Sequence, residues 1–137
     1  QRVTAIVNCR IFPGHEKAEI ASELRQVAAQ TRLEMFEVDA DFVVTAPASP
    51  FDERFVGAVT QAIGLAFGDM PIIASQASGA TDSMWYRALG IPSYGASGTF
   101  LKMSDDYSHG LNERVPTGHI QASLLYYTTL LAALASD

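Results

Sequence analysis

The chain has 137 residues, 48% of them apolar and 18% charged, and 9 Lys and Arg against 15 Asp and Glu leave a net charge of −6. That composition is too apolar for a disordered chain and suits one compact domain or parts of two. The acidic balance argues against nucleic acid and anionic membranes as partners, no apolar run of about 18 residues is present to span a bilayer, and the single cysteine, Cys9, leaves no internal disulfide and no CxxC metal site.

The first residue is Gln1, with neither an initiator Met nor a basic and apolar leader. The expectation is a removed leader or a piece of something longer, and the compartment stays open. Residues 2–11 alternate, with Val3, Ala5, Val7 and Cys9 on one face and Thr4, Ile6, Asn8 and Arg10 on the other. This pattern predicts a half-buried strand with Cys9 inward, stopped by Pro13-Gly14. Ile20, Leu24, Val27 and Ala28 then fall at helical spacing, predicting an amphipathic helix from His15 to about Arg32. Phe36, Val38, Ala40, Phe42 and Val44 alternate again, so residues 1–45 read as β-α-β.

Pro47 and Pro50 mark a boundary, because neither continues a strand or sits inside a helix. Ser49 suits the N-cap of the next helix, with Pro50 in its first position and Asp52 where a capping carboxylate belongs. Phe51, Phe55, Val59, Ile63 and Phe67 recur every four residues, and Gly68 ends the pattern. Pro71-Ile72-Ile73-Ala74 and Ile91–Gly95 read as short buried strands flanking a small helix, Ser83–Leu89, capped by Thr81 or Asp82 and closed by Gly90. Trp85 and Tyr86 fit packing beneath that helix. After a Gly-, Ser- and Asp-rich loop over 95–116, Thr117 caps a final helix through Ile120, Leu124, Tyr127, Leu131 and Leu134, apolar on most sides and expected to be largely buried.

Two loops carry chemistry. Ser78-Gly79-Ala80-Thr81-Asp82 opens a helix, where exposed N–H groups can hold a carboxylate or oxyanion, or simply make a capped turn. The other loop holds His109-Gly110-Leu111-Asn112-Glu113-Arg114. A histidine there is a metal ligand, a general base or a solvated side chain. Glu113 can orient it or pair with Arg114, while Asp105 and Asp106 read as a solvated face. Arg10 either forms a surface ion pair or reaches a substrate carboxylate. His15, at a helix start, and His119, near the last helix, read as bystanders.

Taken together, SGATDSMWYRALGIPSYG followed by HGLNERVPTGHI resembles the carboxyl-terminal part of the zinc-dependent exopeptidase and amidohydrolase family. That family includes aminoacylase, carboxypeptidase G, acetylornithine deacetylase and succinyl-diaminopimelate desuccinylase. VTAIVNCRIFPG likewise looks like a strand of the family's inserted lid, or dimerisation, domain. The resemblance implies an α/β fold: a β-α-β half of a ferredoxin-like lid over residues 1–46, then the end of a zinc-peptidase-like catalytic domain over 47–137. It implies His109 as a zinc ligand, Arg10 as the guanidinium for the substrate carboxylate, and Gly79, Ala80 and Thr81 as the loop that holds the substrate. Asn112 and Glu113 would complete the HGxNE motif and fix the histidine loop.

The implied reaction is hydrolysis of an amide or peptide bond beside a carboxylate, in N-acyl amino acids or small peptides, by water activated on two zinc ions. The other ligands and the glutamate base would come from an amino-terminal segment outside these residues, so the chain reads as the inactive last third of an enzyme. Its open sheet edges would invite a homodimer. A non-catalytic α/β binding or dimerisation module is the alternative.

Overall fold

The computed structural model describes residues 3–36, 44–77 and 79–136. Its elements are α1 (Lys17–Ala29), α2 (Glu53–Phe67), α3 (Ser83–Ala88) and α4 (Ile120–Ala135), with single 3-10 turns at Met103–Asp105 and Thr117–His119. They fall into two compact units: residues 1–50 with 75–94, and residues 51–74 with 95–137.

In the first unit, α1 begins after the Pro13-Gly14 turn and turns a narrow face inward, burying Ala21 while Ile20 and Leu24 are half-buried and Val27 stays exposed. Ala46 is buried as well. The segment 47–50 is tied to α3 and the stretch after it. The Arg87 Nε donates to the Pro47 carbonyl at 3.0 Å, Ser49 meets Ser93, and the Tyr94 hydroxyl donates to the Pro50 carbonyl at 2.8 Å. α3 ends where Gly90 takes a left-handed φ of 79° and the Ile91 N–H reaches back to the Tyr86 carbonyl at 2.9 Å.

The second unit is an antiparallel helix pair. Ala58, Val59 and Ala62 of α2 pack on Tyr126 and Leu130 of α4, flanked by Phe55, Ile63, Phe67 and Leu134. The small side chains at 58 and 62 let α4 approach closely enough for Tyr126 to be fully buried. Burial, and then the nearby Tyr127, pushes the Tyr126 hydroxyl above its ordinary pKa. Asp52 caps α2 by accepting the Phe55 N–H at 2.7 Å. At the same end of the pair, Arg54 Nη2 donates to the last carbonyls of α4, Leu134 at 2.9 Å and Ser136 at 2.7 Å. Gly98 sits against Tyr126, held by the Ser123 hydroxyl on its carbonyl at 2.8 Å.

The expected β-α-β architecture is not supported: among the described residues there is no strand. Residues 3–11 carry the alternating pattern, yet Val3 and Ile6 are 94% and 92% exposed, and Cys9 is exposed rather than inward. Alternation says which face would be buried if a ladder partner were present, and a strand without one leaves its N–H and C=O groups to water. The expected partner, 36–44, lies mostly outside the described residues. The short runs at 71–74 and 91–95 likewise form no ladder, and Ile73 is 81% exposed.

Several local expectations also shift. Ser49 does not cap α2, because its hydroxyl is taken by Ser93; α2 starts later, under Asp52. α3 has no side-chain cap from Thr81 or Asp82, and Thr117 opens a 3-10 turn, leaving α4 uncapped by any side chain. α4 is not largely buried: Tyr126 and Leu130 form one covered stripe, while Ile120, Leu124 and Leu131 face outward. Within its unit α2 packs on one side only, so one side is all that a helix apolar on most faces can bury here. Trp85 and Tyr86 remain exposed on α3, a helix too short to cover them.

Candidate functional site

In the first unit the structure brings together Arg10 and the Gly79 turn. A Cβ placed on Gly79 would stand 3.9 Å from Nη1 of Arg10. Arg10, Gly79, Ala80 and Thr81 are all exposed. The Thr81 carbonyl accepts the Met84 N–H at 3.2 Å, so the turn leads directly into α3. A fixed cation beside a turn with no bulky side chain is suited to a small anion: the guanidinium presents paired N–H donors that match a carboxylate.

His109, Asn112 and Glu113 belong to the second unit, on an exposed loop. The loop is shaped by its backbone. The Gly110 N–H donates to the Tyr107 carbonyl at 2.9 Å, closing a tight turn in which His109 has φ 59°. Asn112 follows with φ 65°. Such left-handed conformations cost an L-residue about 1 kcal/mol, less for asparagine, whose side chain tolerates them. A Cβ at 110 would crowd the Tyr107 carbonyl oxygen, at 3.1 Å, so any larger residue there needs the turn to give by a few tenths of an ångström.

The acidic residues of this loop are not merely a solvated face. Asp106 accepts both the hydroxyl and the N–H of Ser108, the latter at 3.0 Å, and these bonds hold its carboxyl below the ordinary value. Asp105 pairs with Arg114, whose guanidinium also lies over the Tyr107 ring, 4.2 Å from its centroid. Arg114 therefore pairs with Asp105 and not with Glu113. The sequence did not single out Tyr107, and it offered Glu113 as either an orienting group for His109 or a partner for Arg114; the partner observed for Arg114 is Asp105. The Asp-x-Ser spacing at 106–108 was a readable turn signal, whereas nothing local marks a pairing nine residues apart.

The other two histidines have contacts of their own. His15 faces Glu19 one turn along α1 at 3.7 Å, and the His119 ring meets Phe67 edge-on at 6.4 Å between centroids.

Among the described residues, no group of three or more His, Cys, Asp or Glu side chains is placed to hold a metal ion. These residues on their own do not fit a zinc site. Nor, among them, is any helix long and apolar enough to cross a membrane.

The sequence matches the family described as Peptidase family M20/M25/M40 over residues 1–135. The chain belongs to that family, whose members are metallopeptidases and related hydrolases, generally metal-dependent. No curated protein and no solved structure matches it.

Proposed function

We propose that this chain is the carboxyl-terminal portion of a zinc-dependent hydrolase that cleaves an amide or peptide bond next to a carboxylate, in N-acyl amino acids or small peptides. The observation that carries the reading is the family match over 1–135, joined to the placement of the Arg10 guanidinium beside the Gly79 turn. In this reading Arg10 binds the substrate carboxylate, and the turn of Gly79, Ala80 and Thr81 holds the substrate near it. His109 contributes one nitrogen to the metal, supported by the loop of Asn112 and Glu113. The remaining zinc ligands and the general-base glutamate come from outside this chain, which is inactive alone. Residues 1–46 form part of a lid or dimerisation domain, 47–137 the end of the catalytic domain, and the enzyme works as a homodimer. The exposed apolar side chains of Val3, Ile6 and Val7 support a covered role for the first segment.

The test is an assay of the chain with zinc across a panel of N-acyl amino acids and dipeptides, alone and with the amino-terminal segment of the enzyme added in trans. Turnover is expected only with both parts. Arg10→Ala should raise KM for carboxylate-bearing substrates, and His109→Ala should abolish turnover. Absence of turnover on every substrate overturns the reading.

A further inference from the structure

The turn of Gly79, Ala80 and Thr81 runs directly into α3, and the first turn of that helix carries an exposed indole. We propose that Trp85 is a specificity-determining residue that receives the side chain of a substrate whose carboxylate lies at Arg10, which makes the substrate class N-acyl aromatic amino acids; the inference rests on the proposed reading of Arg10 and the Gly79 turn as the carboxylate subsite.

Trp85 stands four residues beyond Thr81, about 6 Å along a helix axis. Its N–H donates to the Asp82 carbonyl at 3.0 Å, as the Met84 N–H does to the Thr81 carbonyl at 3.2 Å, so its backbone is fixed to the end of that turn. Helical side chains lean back toward the N-terminus of their helix, and for α3 that is where the turn lies. Arg87 is two positions on, about 200° round the axis, and its Nε is tied to the Pro47 carbonyl at 3.0 Å. Trp85 therefore belongs to the side of α3 away from that contact, and it is 43% exposed. An open indole near a guanidinium supplies the two parts of a small-ligand subsite, a flat apolar wall and a polar group that fixes orientation. An N-acyl amino acid suits both at once, because its side chain branches from the carbon next to its carboxylate. An aromatic ring gains from stacking or edge contact on the indole, which a methyl group does not. A cationic side chain would also be drawn to an indole face, but the Arg10 charge disfavours it here.

Trp85 is the only tryptophan in the chain, so its emission reports on this subsite alone. The chain is titrated with N-acetylphenylalanine, N-acetylalanine, N-acetyllysine and N-acetylphenylalaninamide, which lacks the carboxylate. Trp85 emission is followed together with the NMR signals of the Gly79 amide and the Arg10 Nε. N-acetylphenylalanine should bind about tenfold more tightly than N-acetylalanine and N-acetyllysine and change the emission. The amide, and every acid with Arg10→Ala, should bind at least tenfold more weakly. Trp85→Ala, followed at the Gly79 amide, should bring N-acetylphenylalanine down to the level of N-acetylalanine and leave the latter unchanged. Trp85→Phe should keep most of the preference, and Tyr86→Ala all of it. The Ile91 amide, bonded to the Tyr86 carbonyl, reports that α3 stays folded. Equal affinity for the three acids, a preference for N-acetyllysine, or a preference that survives Trp85→Ala or vanishes in Tyr86→Ala overturns the proposal while the carboxylate subsite at Arg10 stands. Acids that move neither the Gly79 nor the Arg10 signal overturn that subsite, and the role of Trp85 with it.

Discussion

One hydroxyl joins Ser49 to Ser93 in both directions: Ser49 Oγ donates to the Ser93 carbonyl at 2.8 Å and accepts the Ser93 N–H at 2.9 Å. A side chain thus makes the paired bonds that a neighbouring strand would make in a ladder. The run Ile91–Gly95 is no strand, yet its backbone at 93 is satisfied.

Ser49→Ala should therefore cost about 1–3 kcal/mol, because it leaves a partly buried N–H and carbonyl without their partner. Ser49→Thr keeps the hydroxyl and should cost much less. Urea denaturation measures the difference, and hydrogen exchange at the Ser93 amide locates it. Equal stability of Ser49→Ala and wild type would show that the pair is not formed in solution.

The ends of the helix pair make a second prediction. Asp52→Ala removes the cap on the Phe55 N–H and should cost about 1 kcal/mol, whereas Asp52→Asn should be nearly neutral. Arg54→Ala removes both guanidinium bonds to the end of α4 and should fray Leu134 to Ser136 first. Exchange rates of the α4 amides distinguish the two, since the cap acts at the start of α2.

Which parts of this architecture were legible follows from the range of the interactions involved. α2 was readable because Phe55, Val59 and Ile63 repeat within one element, and Gly68 stops it with a φ of 86°. α3 was readable from Gly90. The buried contacts of α2 were less so: the centre of its face is Ala58 and Ala62, which a search for large apolar residues passes over. The strands at 3–11, 71–74 and 91–95 were misread because a ladder depends on a distant partner that alternation cannot supply. The same holds for the site. The residue types at 10, 79 and 109 could be picked out by eye, but the bracket of Asp105, Tyr107 and Arg114 is a contact across a loop, and no local spacing announces it.

The Asp106 turn should respond to pH in a defined direction. The bonds from the Ser108 hydroxyl and then its N–H lower the carboxyl's folded value below its ordinary 3.8. Its contribution is therefore present above that ordinary value and is lost as the pH falls through the lower, folded one. The loop should keep its form through neutral and mildly acidic solution and loosen only below about pH 4. Ser108→Ala should raise the Asp106 titration midpoint toward the ordinary value in a carbon-detected NMR titration. An unmoved midpoint would mean that Ser108 does not bond the carboxylate.

Gly98 and Tyr126 make the last prediction. A Cβ on Gly98 would fall 2.5 Å from Cδ1 and 2.9 Å from Cγ of Tyr126, a ring that is fully buried. The ring has no open side to swing toward, so Gly98→Ala must push the 98 backbone away from α4. That movement strains the Ser123 hydroxyl bond to the Gly98 carbonyl and should cost about 1–3 kcal/mol in all. Tyr126→Leu alone leaves a void, but it should relieve the clash, so the double variant should be less destabilised than the two single losses added together. Tyr126→Phe removes a buried hydroxyl that finds no hydrogen-bond partner among the described residues and should be neutral or slightly stabilising. Thermal melts of the four variants decide this. Additive losses for the Gly98→Ala and Tyr126→Leu pair would show that the close approach of 98 to the ring is not what makes glycine necessary there.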